Sequence, residues 1–426
     1  MYNGIAVEDL GKPVIVLVNK GFVKDARSAA SSRSMPHLRI QPENVACEAT
    51  VMTDIESGIA GAMDGIVAGL TRPLTDEERS TKSEVAKLPK VAFKGSYPEI
   101  NRYFYTHGWT DGLPIVPPTQ AALEEMLTGT DLPPDRVVGK VIPRLGKATV
   151  EKIAINAVMA GALPTHMPVL IAVVQALVDQ KTRFDTFEVS TGSWAPFVAI
   201  NGPVRNDINL NCSSGALSPG DIANSAIGRA VGLIVRNIGG ARKGIEDMGV
   251  LGNPAKYSLV LGESEEESPW EPLQVERGFK KEDSTVTMFF PNGYIQSVPR
   301  GTDAKGILDS IASAGPGRMN CLVLIPSHAA ILESEGWTKE KVKQYLMNRP
   351  NSRAAEAPLG QAAAPPPNPA DGLMVLVAGG PGAWFGLHKS VGGFGNEFVI
   401  RKIELPKNWK TLVEKYKTIV PDYELY

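Results

Sequence analysis

The sequence predicts a mixed α/β protein, and three observations support this class. Short continuous apolar runs, such as residues 13–19 and 373–378, have the length and composition of strands covered on both faces. Longer segments, such as residues 54–70 and 222–238, repeat apolar residues at helical spacing. The two patterns alternate along the chain, which is typical of parallel strands joined by helices.

Composition limits the classes of partner. The chain has 426 residues, of which 43% are hydrophobic and 21% charged, and its formal net charge is −2. This is the composition of an ordinary soluble protein of two or three domains. Lys and Arg are not clustered, so no nucleic-acid partner is expected. No apolar run reaches the roughly 18 residues of a membrane span, and the first residues lack the regions of a signal peptide. We therefore expect a cytoplasmic protein with no membrane partner.

Residues 1–78 form the first predicted unit, a small α/β domain. A strand over 13–19, a helix around 24–31 and a second strand near 38–40 precede the helix over 54–70. Two short strands offer too little sheet to close a core alone. The unit therefore either packs against the rest of the chain or receives a strand from elsewhere. The charged, Pro-containing segment 79–96 predicts a surface linker.

Residues 97–348 form the second predicted unit, a larger mixed α/β domain with Gly-rich loops. The loop 108–119 contains too much Gly and Pro for a helix or a central strand, and Thr119 is suited to cap a helix over 120–127. Asp111 in this loop is a candidate substrate contact, and the alternative is an Asx turn that only shapes the loop. The further elements predicted here are helices over 148–162, 167–178, 222–238, 305–314 and 327–335 and strands over 197–204, 257–262, 284–290 and 319–326.

The most informative stretch is residues 196–240, which predicts a strand, a small-residue turn and a long helix. The turn contains Cys212, Ser213, Ser214 and Gly215, and Pro219 stands near the expected first helical position. Backbone N–H groups at such a turn are free to face an anion. We predict that Cys212 is a nucleophile or thiol base whose pKa the helix lowers, and that the next three residues bind substrate. The alternative is a tight connection with a small buried cysteine.

Four charged residues after this turn are further candidates. Arg229 and Arg242 are predicted to pair with substrate charge, and Arg242 lies in another Gly-bounded loop. Glu263 and Glu265 begin an acidic loop and are candidates for moving a proton. The alternative for that loop is a solvated acidic surface.

The last part of the chain adds a second Gly-rich loop. Residues 349–372 are rich in Pro and Ala and predict an insertion or linker, and residues 373–426 are predicted to return strands to the large domain. The Gly-rich segment 379–395 permits close backbone approach to a ligand. It lacks the spacings of dinucleotide and P-loop motifs, so the sequence assigns no cofactor. The candidates in this segment are Gly380, Gly382 and Trp384 for substrate binding and His388 for proton transfer.

The cysteine and histidine pattern assigns no metal site. Cys47, Cys212 and Cys321 lie far apart without CxxC spacing, and the five histidines form no HExxH motif. Neither a structural zinc site nor a disulfide framework is predicted.

Five segments resemble the uncharacterised bacterial proteins associated with the UGSC (seleno)protein family. They are GWTDGLPIVPPT (108–119), ATVEKIAINAVMAG (148–161), SPGDIANSAIGRAVGLIVRNIGGAR (218–242), ESPWEPLQVERGF (267–279) and LVLIPSHAAILESEGWTKEKVKQYL (322–346). The resemblance covers most of the chain from residue 97 onward, and residues 3–74 are similar to the later part of the small UGSC-like domain. The family is named for selenocysteine or cysteine followed by Gly-Ser-Cys. No such tetrapeptide occurs here, so the resemblance does not carry thiol redox chemistry by that motif. It implies the fold rather than a reaction.

The sequence favours an enzyme that cleaves or eliminates a bond in a small anionic organic substrate, in the manner of a lyase or hydrolase. Gly-rich loops near Asp111, Cys212, Arg242 and residues 379–382 are of the kind that line metabolic active sites. Two alternatives remain open. One is a metal-dependent enzyme that uses Asp, Glu and His from separate loops. The other is a non-catalytic subunit or binding module whose first domain another chain completes. We expect a homo-oligomer, since most soluble oligomers are symmetric homo-oligomers.

Overall fold

The computed structural model describes residues 2–45, 51–79, 91–314, 318–348, 372–390 and 397–422. Helices make up 42% of it and strands 15%, in mixed sheets, which confirms the predicted mixed α/β class. Among the described residues, no helix has the length and apolar character needed to cross a membrane. Some of the predictions concern positions outside the described residues, namely Cys47, most of the linker 79–96, nearly all of the insertion 349–372 and residues 391–396 of the second Gly-rich segment.

The described residues between 2 and 79 contain two parallel strands, and the predicted division into domains stays a prediction. The elements are α1 (Tyr2–Asp9), β1 (Val16–Asn19), α2 (Val23–Ser32), β2 (Ile40–Glu43), α3 (Met52–Thr71) and α4 (Asp76–Arg79). Val16 lies opposite Ile40 in the β1–β2 pair. Helix α3 lies close to this pair because it carries glycines on the inner side, and a Cβ at Gly69 would lie only 2.2 Å from Ile15 Cδ1.

The remainder of the described chain holds twelve helices and ten strands. The helices are α5 (Tyr97–Thr106), α6 (Gln120–Leu127), α7 (Val150–Ala160), α8 (Met167–Leu177), α9 (Phe184–Phe187), α10 (Val204–Asp207), α11 (Ile222–Asn237), α12 (Leu273–Glu276), α13 (Ala304–Ala312), α14 (Pro326–Ser334), α15 (Lys339–Met347) and α16 (Trp409–Tyr416). The strands are β3 (Val137–Val141), β4 (Gly146–Thr149), β5 (Phe197–Asn201), β6 (Val260–Gly262), β7 (Thr285–Phe289), β8 (Gly293–Ser297), β9 (Arg318–Leu324), β10 (Met374–Val377), β11 (Phe385–Ser390) and β12 (Val399–Lys402).

Eight of these strands form two four-stranded sheets with the same plan. The first sheet has the order β12-β7-β5-β6 and the second the order β10-β9-β11-β8. Each sheet contains one parallel pair, β5 with β6 in the first and β9 with β10 in the second. The other neighbouring strands in each sheet pair antiparallel. The edge strands are exchanged: β8 follows β7 in the chain but pairs with β11, and β12 follows β11 but pairs with β7. The two halves of this region therefore interlock.

The sheets pack face to face between two layers of helices. The outer face of the first sheet, with Val198 and Ile200, packs in one cluster with α7, α8 and α11. The outer face of the second sheet, with Leu322 and Leu324, packs with α13 and α15. Between the sheets lies a third cluster, which contains Phe197, Ala199, Leu261, Cys321, Met374 and Leu376. All five residues of β5 are buried, as its continuous apolar sequence predicts.

The carboxyl ends of β6 and β10 meet at one end of this sandwich. The Ser264 N–H, just after β6, donates a hydrogen bond to the Val377 carbonyl at the end of β10 (2.7 Å). Ligands of open α/β sheets bind outside the carboxyl ends of parallel strands. This end of the molecule is therefore where a functional site is expected.

Candidate functional site

A cavity of about 290 Å³ lies at this end, between two loops that are distant in sequence. One wall is the turn of residues 213–218 and the other is the Gly-rich loop 379–382. The Gly379 N–H donates to the Cys212 carbonyl (2.9 Å) and so holds the two loops together. A Cβ at Gly380 would lie 1.7 Å from Ser214 Oγ. Only glycine at position 380 permits this approach.

Two side-chain amides shape the first wall. Asn211 Oδ1 accepts from the Ser213 N–H (2.8 Å), and Asn211 Nδ2 donates to the Ser214 carbonyl (3.0 Å). Asn224, buried in α11, donates to the carbonyls of Asn211 (3.0 Å) and Ala216 (3.1 Å) and accepts from the Asn211 N–H (2.9 Å). These bonds replace the ladder or helix bonds that the turn lacks. Sequence reasoning did not single out Asn224, whose signal is a polar residue at a core position of an amphipathic helix.

The cavity lining combines unpartnered backbone N–H groups with an absence of charged side chains among the described residues. Within the described residues, the N–H groups of Ser214, Gly215, Gly380 and Gly382 have no hydrogen-bond partner. The residues that line the cavity are Ser, Gly, Ala, Leu, Tyr, Gln, Val, Ile, Pro, Trp and Phe. Free N–H groups of residues that line a cavity favour a ligand oxygen that carries negative charge. The predicted Ser213, Ser214, Gly215, Gly380, Gly382 and Trp384 all line the cavity, and their role in binding substrate stays a prediction.

The inner face of the second sheet forms another wall. Gly386 of β11 lies between Val323 of β9 and Gln296 of β8, and all three line the cavity. Tyr294 leans over Gly386, and its hydroxyl accepts a hydrogen bond from Gln296 Nε2 (2.6 Å). Burial raises the pKa of Tyr294 above its ordinary value of 10.0, so the phenol keeps its proton at neutral pH. Sequence reasoning missed Tyr294 and Gln296 because strand β8 was not predicted.

Cys212 does not have the predicted properties. Helix α11 begins at Ile222, as predicted, with Asp221 as its N-cap, and this helix end is remote from Cys212 in sequence. The cavity lining begins at Ser213, while the Cys212 thiol packs against Gly262 and donates to the Leu210 carbonyl (3.4 Å). Burial raises the pKa of the thiol, and the nearby Arg205 offsets this only in part. The predicted lowering of the pKa is therefore wrong.

Glu263 and Glu265 belong to a buried ion-pair network. The alternative stated above, a solvated acidic surface, therefore does not hold for these two residues. Arg205 is buried, and its Nε lies 3.0 Å from Glu265 Oε1, while its Nη2 lies 3.1 Å from Glu266 Oε1. Glu263 accepts from Asn201 Nδ2 (2.6 Å) and forms an ion pair with Lys339 (3.4 Å). Each carboxylate thus has a cation or an N–H donor, as buried charges require.

None of these charged side chains lines the cavity. Arg205 connects the carboxylates of this network. Sequence reasoning missed it because the polar residues that follow strand β5 resemble an ordinary loop.

His388 is placed in a strand rather than in a loop. It is fully buried in β11, and burial lowers its pKa to about 3. Its ring stacks on Tyr294 with a centroid distance of 4.7 Å and an interplanar angle of 14°. The ring is therefore neutral, and the predicted role of a proton shuttle in contact with solvent does not fit this position.

The other predicted substrate contacts pair with the protein itself. Arg229 Nε lies 2.8 Å from Asp111 Oδ2, and Arg229 Nη2 lies 3.0 Å from Oδ1. The Leu113 N–H donates to Asp111 Oδ1 (3.1 Å), which is the Asx turn stated as the alternative. Arg242 pairs with Glu246, and Glu246 also accepts from Ser28 of α2. These side chains join segments of the chain, and none of them lines the cavity.

Residues 2–45, 51–79, 91–314, 318–348, 372–390 and 397–422 contain no group of three or more His, Cys, Asp or Glu side chains placed to hold a metal ion. The metal-dependent alternative therefore gains no support from the geometry.

Comparison with known proteins gives no family. No protein-family model, no curated protein and no solved structure matches this chain. The resemblance to the UGSC-associated proteins therefore stays a prediction, and function is inferred from the site itself.

Proposed function

We propose that this chain is an enzyme that holds a small organic molecule by an anionic or carbonyl oxygen and cleaves or eliminates a bond next to it. The observation that carries the proposal is that Ser214, Gly215, Gly380 and Gly382 line one cavity and that their N–H groups have no partner in the part of the chain that the structure describes. Its volume of about 290 Å³ is near the lower end for small-molecule sites, roughly 300 to 1,000 Å³. That size favours a ligand no larger than a small metabolite.

The chemistry that suits this site is a cleavage in which an oxygen gains negative charge. Fixed N–H groups stabilise such an oxygen without reorganisation, and losing one donor typically lowers kcat by about 10²- to 10³-fold. Tyr294 supplies the acid: its oxygen accepts from Gln296, which leaves its own proton to donate. Its raised pKa keeps that proton in place until the reaction. We assign the general acid to Tyr294 rather than to Cys212, Glu263, Glu265 or His388.

A non-catalytic binding module is the second candidate, and one observation favours it. Among the described residues that line the cavity, Tyr294 is the single titratable side chain, whereas many enzymes use an acid and a base together. A binding module would keep the ligand specificity of the cavity without turnover. A cytoplasmic location and a homo-oligomeric assembly also belong to the proposal, and size-exclusion chromatography with light scattering tests the assembly.

The test begins with a panel of short-chain carboxylic, hydroxy and keto acids. Binding is followed by intrinsic fluorescence, because Trp384 lines the cavity and is 57% exposed. Consumption of each acid is followed by NMR. We expect at least one acid to bind and to be consumed, and Tyr294→Phe to lower turnover by about 10²-fold or more. Tyr257→Phe is the matched control, since Tyr257 is exposed and does not line the cavity.

Three results separate the candidates. Turnover that Tyr294→Phe lowers and Tyr257→Phe leaves unchanged supports the enzyme. Binding without turnover supports the binding module. If no acid binds the wild-type protein, the proposal is wrong.

A further inference from the structure

The four outer strands of the two sheets are protected to different degrees. An exposed strand edge carries unpaired backbone N–H and C=O groups, and proteins cover such edges or place charges and prolines on them. Strands β6 and β10 are fully buried. Strand β12 contains Arg401 and Lys402, which pair with Asp179 and Asp283. Three of the four outer strands are therefore protected against pairing with another chain.

Strand β8 is the exception. It pairs with β11 along one edge, and no described strand pairs with its other edge. Residues 284–299, which include β8 and its flanks, contain no charged side chain. Within β8 there is no proline and no register shift, and Tyr294 and Gln296 are exposed. A free, regular and uncharged strand edge of this kind is a template for a further strand.

Exposed apolar side chains lie at the C-terminal end of β8. Val298 is 42% exposed and Trp384 is 57% exposed. Val298 directly follows Ser297 and Trp384 directly precedes Phe385, and Ser297 and Phe385 are cross-strand partners. The two large apolar side chains therefore lie at the same end of the β8–β11 pair. Exposed apolar groups that lie together beside an unpaired strand edge are typical of an interaction surface.

The N-terminal end of β8 also has apolar neighbours. The Asn292 side-chain amide, just before β8, donates to the Gly192 carbonyl (3.2 Å). The Val250 N–H donates to the Thr191 carbonyl (3.1 Å), so the loop with Val250 and Leu251 lies near this end. Val250 is 73% exposed and Leu251 is 96% exposed. Apolar side chains thus face water near both ends of the strand.

We propose that β8 is an interface between two copies of this chain, in which the two β8 strands pair antiparallel about a twofold axis at Ile295. Ile295 then lies opposite its own counterpart, Tyr294 opposite Gln296, and Gly293 opposite Ser297. The second sheets of the two copies become one continuous sheet of eight strands. The inference rests on the part of the proposed function that makes the chain a homo-oligomer, and not on the proposed reaction.

A second copy suits this edge because the edge is complementary to itself, as a twofold interface requires. Ile295 packs in part against the outer cluster of the second sheet, and its counterpart extends that cluster. Gln296 Nε2 donates to the Tyr294 hydroxyl within one strand (2.6 Å), and the pairing sets the same two side-chain types opposite each other across the axis. No like charges face each other, because the strand has none.

The twofold axis also exchanges the two ends of the edge. The end with Val298 and Trp384 in one copy meets the end near Val250 and Leu251 in the other, so exposed apolar side chains come together at both ends. A second copy supplies this match by symmetry. An unrelated extended peptide would need its own apolar groups at the same two places.

The first measurement is sedimentation equilibrium of the full-length wild type, Val298→Lys and Val67→Lys over a range of concentrations. Val298 does not line the cavity, and a lysine there puts a charge at the edge. Val67 is the matched control, a valine of helix α3 that is 52% exposed. We expect a wild-type dimer whose dissociation constant rises at least about tenfold in Val298→Lys and less than about twofold in Val67→Lys. Circular dichroism checks that each variant is folded.

The second measurement tests the register by cross-linking. Ile295→Cys places two thiols on directly opposite residues, whose Cα atoms are about 4.5–5.5 Å apart, within the disulfide range of about 4.4–6.8 Å. We expect mild oxidation to give a covalent dimer, with mass spectrometry showing the same peptide of both copies joined. Val298→Cys is the control, because in this register its two copies stand six residues apart, about 20 Å. A wild-type sample accounts for the native cysteines.

The outcomes separate this inference from the proposed reaction. A wild type that is monomeric at all concentrations overturns the interface and the proposed assembly, and leaves the reaction to the panel of acids. A dimer that Val298→Lys does not weaken, or that Ile295→Cys does not cross-link, overturns the interface and leaves the assembly standing. A dimer that Val67→Lys dissociates instead assigns the contact to α3 and also overturns the interface. If the dimer responds as expected but no acid binds, the proposed reaction fails and the interface stands.

Discussion

The two sheets share one strand plan, but the loops that follow their parallel pairs differ in kind. After β10 come Gly379 and Gly380, which carry no side chains and line a cavity, and the Gly380 N–H has no hydrogen-bond partner among the described residues. After β6 come Glu263 and Glu265, whose carboxylates fill the corresponding place and pair with Arg205, Lys339 and backbone donors. Similar strand ends thus give an open site in one sheet and a closed ion network in the other.

The difference shows that an open binding site depends on the absence of side chains at particular positions. A buried ion network binds its own charges and has no capacity for a ligand. A loop of glycines leaves both the space and the donors unoccupied, because a missing side chain neither fills volume nor competes for hydrogen bonds. Substitutions around the cavity are therefore expected to change ligand binding. Substitutions in the ion-pair network are expected to change mainly the free energy of unfolding.

Loss of Arg205 is expected to have the largest effect. Arg205→Ala leaves Glu265 buried without its cation and is expected to lower the free energy of unfolding by about 3–5 kcal/mol. The measurement is chemical denaturation. Glu266→Gln is the control, because the Glu266 side chain is 60% exposed and such pairs contribute about 0–1 kcal/mol. A cost below about 1 kcal/mol for Arg205→Ala would show that the network is dispensable.

The next largest effect on stability is expected from Glu188, a buried carboxyl outside both regions. Burial raises the pKa of Glu188 from 4.5 to about 8. Between these values the folded protein keeps a proton that the unfolded chain has lost, so the contribution of Glu188 to stability is greatest below pH 4.5 and falls as pH rises toward 8. The slope from this group is up to about 1.4 kcal/mol per pH unit. Denaturation of the wild type and Glu188→Gln across this range is expected to show a flatter profile for the variant, and parallel profiles would contradict the shift.

The Gly380 substitution tests the cavity side of the comparison. A Cβ at Gly380 would lie 1.7 Å from Ser214 Oγ, so Gly380→Ala is expected to cost about 1–3 kcal/mol by overpacking and to lower the affinity for acids. Gly61→Ala is the matched control. Gly61 lies in helix α3, where an added Cβ would meet no described atom within 4 Å, so that variant is expected to be neutral or more stable by up to about 1 kcal/mol. Unchanged affinity in Gly380→Ala would contradict the assigned binding loop.

The smallest effect is expected for Cys212→Ser. The thiol is outside the cavity, and a serine hydroxyl can still donate to the Leu210 carbonyl, so stability should change by less than about 1 kcal/mol and turnover should be retained. Cys321→Ser is the control, because Cys321 lies in the apolar layer between the sheets and a hydroxyl without a partner there costs about 1–3 kcal/mol. Loss of turnover in Cys212→Ser alone would restore the thiol as the reacting group.

Local patterns predicted many of the elements. The helix over 120–127 and its Thr119 cap are confirmed, with Thr119 Oγ1 accepting from the Ala122 N–H (3.3 Å). The buried strands after residues 196 and 372 are also confirmed, although both end earlier than predicted. Strands β8 and β11 were not predicted. β8 has a polar, half-exposed sequence, and β11 begins in a Gly-rich stretch that is typical of a loop.

The sequence by itself determined the mixed α/β class, most helices and the two small-residue loops, because periodicity, capping and glycine content act within a few residues. Only the tertiary structure decided that β8 and β12 exchange sheets, that Tyr294 replaces Cys212 at the cavity, and that Arg205 closes the other strand ends. These outcomes depend on which distant segments share a sheet face, and strand pairing between residues far apart leaves no local pattern in the sequence.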